Sequence, residues 1–205
     1  MKMKYRGIKV FVIFLFIGIL AGACSSGSYI NLKYQLPPAT DQLKGKTVFL
    51  EFKDMRTDKA FLSETAKKDF ENFAGLFSLH LTNENMKDEP VGAFNVESLF
   101  KEALKRRLGS IGVNVTEERK KDIPVMELVL NQFFLDYRER KWITDISFQV
   151  CLIKEKSKIA TETVSGTSES IKIWGWKNAE KNIGEIFTDC FNRLNIDKLF
   201  QQAGL

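Results

Sequence analysis

Two hydrophobic periods alternate along this chain. Ile30, Leu32, Tyr34 and Leu36 alternate with polar residues, which predicts a short strand ended by Pro37-Pro38. Thr47 to Phe52 reads as a second strand, leading into Lys53-Asp54-Met55-Arg56. Val96, Leu99, Phe100, Ala103, Leu104, Leu108 and Ile111 then recur at helical spacing. Asn95 is placed to cap that helix and Gly112 to close it in a left-handed turn. Strands are predicted at Val113–Thr116, Val125–Leu135, Trp142–Ile153 and about Ile159–Ser168, the last three as a meander with Asp136 to Lys141 carrying its first turn. A second helical stripe, Ile183, Ile186, Phe187, Cys190, Phe191 and Leu194, follows Trp174-Gly175-Trp176, and Asp197 to Gln202 adds a last turn.

Neither period holds between Thr57 and Asn95. Lys67 to Phe77 fits a short helix or a loop. Leu76, Leu79 and Leu81, mixed with Phe77 and His80, fit an edge strand, and Asn83 to Gly92 reads as a polar loop. The whole predicts an α+β fold, with a mixed or antiparallel sheet of about five strands and both amphipathic helices packed on one face. It would form a single domain over residues 29–205.

The N-terminus follows a different pattern. Lys2, Lys4, Arg6 and Lys9 precede an eleven-residue apolar run from Val10 to Leu20, then Ala21, Gly22, Ala23 and Cys24. Spanning a bilayer core takes about 20 apolar residues, so the run is short for that purpose. A basic start, a short apolar stretch and small residues describe a secretory signal over residues 1–23. Residues 24–28 would then be a cysteine followed by a flexible Ser/Gly tether.

That reading changes the meaning of the charge. Removing residues 1–23 lowers Lys+Arg from 31 to 27 against 26 acidic residues, so a net +5 becomes +1. A nearly neutral domain has no general footprint for phosphate backbones, and a nucleic-acid partner is not expected. The remaining 182 residues suit one sizeable core.

Candidate chemistry is sparse. His80 is the only histidine, so a triad or an imidazole metal site would rest on it alone. No Gly-x-Ser-x-Gly elbow, Walker loop or Gly-x-Gly-x-x-Gly occurs. No enzyme activity, cofactor or metal is expected. Strand alternation turns Cys151 away from Phe148 and Val150, whereas Cys190 lies on a helical stripe, so the two thiols are expected to stay apart and unpaired. Asp54 and Arg56, two residues apart at a strand end, form either a partner-binding edge or an ion pair closing the turn. Trp142, Trp174 and Trp176 mark either a contact surface or the ends of the core, with ring N–H groups turned to water.

Leu20-Ala21-Gly22-Ala23-Cys24 resembles the lipobox of bacterial lipoproteins, with Leu20 one place further from the cysteine than in the usual pattern. With Tyr29-Ile30-Asn31-Leu32, Val48-Phe49-Leu50-Glu51-Phe52 before Asp54-Met55-Arg56, Leu108-Gly109-Ser110-Ile111-Gly112-Val113, and Val125-Met126-Glu127-Leu128, the chain resembles the YajG-type lipoproteins. More loosely it is similar to auxiliary lipoproteins of envelope ABC transporters such as PqiC. Residues 57–95 depart from the family pattern. The resemblance implies lipidation of Cys24 and a periplasm-facing envelope protein, attached to the membrane by its lipid and working through an unidentified protein partner. It implies no catalytic residues. Ser25 after the cysteine implies the outer membrane, by similarity to the enteric sorting rule. The alternative is an auxiliary subunit of an envelope ABC-type lipid or solute transport system.

Overall fold

The computed structural model describes residues 28–82, 88–173 and 175–205. The leader, Cys24 and Trp174 therefore lie outside the described residues. The strands are β1 (Ser28–Gln35), β2 (Thr47–Asp54), β3 (Phe73–Thr82), β4 (Asp88–Phe94), β5 (Asn114–Thr116), β6 (Val125–Arg138), β7 (Lys141–Lys154) and β8 (Ser157–Ile171). The helices are α1 (Glu64–Lys67), α2 (Val96–Gly109), α3 (Lys177–Arg193) and α4 (Ile196–Gln202). The fold is α+β.

The expected five-stranded sheet is accompanied by a second, smaller one. A five-stranded sheet runs β5-β2-β6-β7-β8, and a three-stranded sheet runs β1-β3-β4. The segment with no clear period contributes α1, β3 and β4. Phe73 to Thr82 is a central strand, pairing in parallel with β1 and antiparallel with β4. The stretch read as polar loop, Asn83 to Gly92, includes most of β4, whose residues are half-buried or exposed throughout and so carry no alternation.

The long meander forms because each strand is apolar on alternate positions. Leu130 pairs with Phe148, and Phe148 with Val164, placing three core residues in a row. Two-residue turns join the strands with Glu139 and Arg140, then Glu155 and Lys156, all at positive φ. That geometry matches the right-handed twist of a hairpin and is usually given to Asn-Gly.

Both longer helices cover the same face of the large sheet. Phe100 of α2 meets Phe148 of β7 edge-on and Phe191 of α3 meets it tilted, at centroid distances of 6.0 and 5.0 Å. The small sheet covers that face too, with Phe77 of β3 5.4 Å from Phe133 of β6. Phe100 also meets Phe187 at 5.3 Å, and Tyr34 of β1 meets Phe187 at 5.8 Å, so one aromatic cluster joins both sheets and both helices. Fully burying a side chain of this size contributes about 1.5–3 kcal/mol. The caps fall where the sequence places them: Asn95 Oδ1 accepts from the Ser98 N–H, and Gly112 takes a left-handed φ of 88°.

Cys151 and Cys190 are both buried and unpaired. Cys151 faces away from the aromatic cluster, beside Gln149 and Thr161. Cys190 faces β8 from the opposite side, where a Cβ on Gly166 would lie 3.0 Å from its Sγ.

Candidate functional site

β1 is an edge strand whose outer edge is closed by a helix. Asn31 donates its backbone N–H to Glu180 Oε1 at 2.8 Å, and Gln35 donates its own to Thr188 Oγ1 at 3.1 Å. Asn192 Nδ2 donates to the Gln35 carbonyl at 3.0 Å. Between these contacts Gly184 lies so close that a Cβ there would stand 2.9 Å from the Lys33 carbonyl oxygen. Glu180, Gly184, Thr188 and Asn192 recur every four residues. Four helical residues rise about 6 Å and two strand residues rise about 6.6 Å. The two elements therefore stay in step for three turns, running in the same direction. Polar side chains supply what a further strand would have supplied, and the edge cannot template another chain. The aliphatic stripe of α3 was legible in the sequence. This second stripe was missed, although a helical glycine flanked at four-residue spacing by Glu and Thr was its signal.

A groove of about 670 Å³ lies over this junction, lined by Lys33, Gln35, Lys177, Lys181, Glu185 and Asp189 among others, all polar or charged apart from Gly184.

His80 does not stand alone. Its Nδ1 lies 2.8 Å from Asp88 Oδ1 and its Nε2 3.2 Å from Ser78 Oγ. Lys33 also donates to Asp88, at 2.6 Å, and this bond, followed by the one from His80, holds the Asp88 carboxyl below its ordinary range. The ionised carboxylate only accepts, so Nδ1 carries a proton. Sequence spacing hid the arrangement, because Asp88 comes from another strand. The order Ser-His-Asp matches that of a hydrolytic triad. However, Ser78 sits mid-strand between partners Asn31 and Ala93, so the ladder engages its backbone. What the array does is tie β4 to β3 and β1.

Asp54 and Arg56 meet as a fork. Asp54 accepts from Arg56 Nε at 3.0 Å, Nη2 at 2.8 Å and backbone N at 3.1 Å. Lys59 adds an ion pair at 3.1 Å. The Arg56 guanidinium, mostly buried, also reaches the Phe133 carbonyl at 3.4 Å, just past the irregularity in β6 between Leu130 and Gln132. These bonds, Arg56 foremost, lower the Asp54 carboxyl to about 2. The pair braces the loop after β2 against β6. It lies beyond the reach of β5, which covers only Thr47 to Phe49 of β2.

The tryptophans separate. Trp142 is fully buried, and its Nε1 has no hydrogen-bond partner. That corrects both sequence readings, since it neither forms a surface nor turns its N–H to water. Its ring is held by Phe70 at 5.7 Å and Tyr137 at 4.8 Å, with the Lys172 ammonium 5.3 Å from the ring. Trp176 is half exposed and leans on Phe70 at 6.4 Å. On the outer face of the large sheet Glu127 is buried in ion pairs with Lys53 and Lys158. Among the described residues no group of three His, Cys, Asp or Glu gathers to hold a metal, and no helix is long and apolar enough to cross a membrane.

No family model matches the chain, and no curated protein matches it. Solved structures resemble it only distantly. A Xanthomonas campestris protein described under the family model DUF330 shares 11% identity over 84% of this chain and 92% of its own, with a TM-score of 0.49. A hypothetical protein of Chlamydia trachomatis shares 13% over 79% and 99%, at 0.45. A minor lipoprotein of Acinetobacter baumannii shares 12% over 78% and 93%, at 0.37. Likeness this loose decides nothing about what this chain does.

Proposed function

We propose that this chain is a lipid-anchored bacterial envelope lipoprotein that faces the periplasm and works through protein contacts without catalysing a reaction. One observation carries the reading. A basic start, a short apolar run and small residues end at Cys24, and the first strand begins only four residues later, at Ser28. Such a leader directs export, and a lipidated cysteine at its end supplies the anchor. One acyl chain holds a protein marginally, and two or more hold it stably. Ser25 favours the outer membrane as the site of attachment.

The non-catalytic reading is supported by the setting of Ser78, which sits in the middle of β3 with strand partners on both sides. As an auxiliary subunit handling lipid, the chain would need an apolar channel. The residues lining the groove between β1 and α3 are polar or charged and offer an acyl chain only their methylene stems, which supports the protein-contact reading.

Fractionation of cells expressing the full chain and its Cys24→Ser variant tests the anchor. The wild type is expected in the membrane fraction, and the variant as an uncleaved precursor or a soluble periplasmic form. A variant with wild-type mass and membrane partition would defeat the proposal.

A further inference from the structure

Five large apolar side chains are prominently exposed among the described residues: Tyr29, Met55, Ile171, Ile173 and Trp176. Four of them lie at one end of the molecule. Because β1 and α3 run in step from Asn31–Glu180 to Gln35–Asn192, the turn before Glu180 falls beside the start of β1. That places Trp176 at the same end as Tyr29. Independent contacts close the circuit. Ser28 donates its backbone N–H to Asn72, Phe73 donates its own to Phe70, and Phe70 packs on Trp176. The Ile171 carbonyl accepts from Asn178 Nδ2 in the first turn of α3 at 3.1 Å. The β6–β7 turn belongs to this end as well, since Lys172 donates its backbone N–H to the Arg140 carbonyl. Exposed Arg138, Arg140 and Lys177 therefore rim the apolar side chains, with Glu71 and Glu139 among them.

This is also the end from which the tether leaves. Four residue steps separate Cys24 from Ser28, a reach of at most about 14 Å. Exposed aromatic and aliphatic side chains at one end, with basic residues among them, are the composition that settles at the headgroup level of a bilayer. We infer that the end formed by Tyr29, Ile171, Ile173 and Trp176 rests in the interface of the membrane that holds the lipid anchor. The occupant of this surface is a lipid surface, because the tether is too short to let the domain turn that end away from it. Attachment then has two parts, the acyl chains and a rigid protein foot. The foot fixes the orientation of the domain, and with it the faces that other envelope proteins can reach.

The inference rests on the lipoprotein reading, and one experiment separates the two. The full-length protein, extracted from membranes, is reconstituted into phosphatidylethanolamine–phosphatidylglycerol vesicles with or without bromine on the acyl chains near the headgroups. Flotation reports the anchor, and quenching of tryptophan emission reports the foot. The expected result is flotation with loss of emission in brominated vesicles. An Ile171→Asp/Ile173→Asp variant should float equally well while its quenching falls. An unchanged far-ultraviolet circular dichroism spectrum of the variant reports an intact fold. Flotation without quenching would overturn the foot and leave the anchor standing, and would point to a protein partner for this surface. Failure to float would overturn the anchor and the foot together.

Discussion

In the large sheet, β6, β7 and β8 follow one another along the chain and pair along nearly their whole lengths through two-residue turns. In the small sheet, β1 pairs with β3 across the intervening β2 and α1, and its other edge meets Glu180, 149 residues beyond Asn31. The meander holds itself together locally. β1 is held by elements that must all fold first or fold with it. Long-range pairing closes large loops before any contact rewards it. The strand next to the tether is therefore the one most dependent on the rest of the molecule.

Breaking the joint that serves both regions should cost most. Phe187 touches Tyr34, Phe100, Phe133 and Phe191. Phe187→Ala is expected to lose about 3–5 kcal/mol in a denaturant melt, from lost transfer energy and the cavity left behind. Lys181→Ala, on the exposed side of the same helix, should stay within about 0.5 kcal/mol.

Gly184→Val attacks the small sheet alone. Its side chain has no room against the Lys33 backbone, and overpacking of this kind costs about 1–3 kcal/mol. Hydrogen exchange should show faster exchange at Asn31 and Gln35 while the β7 amides keep most of their protection. Equal loss of protection in both sheets would mean that β1 is no more dependent than the meander.

Asp54→Asn tests the brace on β2. It leaves the buried Arg56 guanidinium short of a charged acceptor, at a cost of about 1–2 kcal/mol for a group that keeps some contact with water. The Asp54 carboxyl is lowered in the folded protein. Its contribution is therefore complete above the unfolded carboxylate range near pH 4 and is lost as pH falls toward 2. Asp88 and Asp136 are lowered as well and act in the same direction. The wild type should lose stability on acidification below about pH 4, and Asp54→Asn should lose less over that interval.

A gain is expected in the meander. Lys156 sits at a φ of 68° without being glycine. Lys156→Gly relieves a left-handed conformation that costs an L-residue roughly 1 kcal/mol, and a thermal melt should rise accordingly.

The same contrast explains what the sequence revealed. Alternation in Ile146, Phe148, Val150 and Leu152, and the stripes of α2 and α3, marked the elements whose burial is one-sided and whose partners are near. The turns at Glu139-Arg140 and Glu155-Lys156 carry no Asn-Gly signal, so the strands ran further than their pattern suggested. β4 escaped because it buries little. The Ser78–His80–Asp88 array escaped because its carboxylate lies across a strand pair. The clamp of α3 on β1 escaped because it is polar and hidden behind a stronger aliphatic stripe.

The anchor is tested most directly by the mass of the N-terminal peptide of the protein extracted from membranes. Cleavage before Cys24, with diacylglycerol on its thiol and an acyl group on its new amine, is the predicted result. A mature chain beginning at any other residue, or a full-length chain with unmodified Cys24, would contradict it.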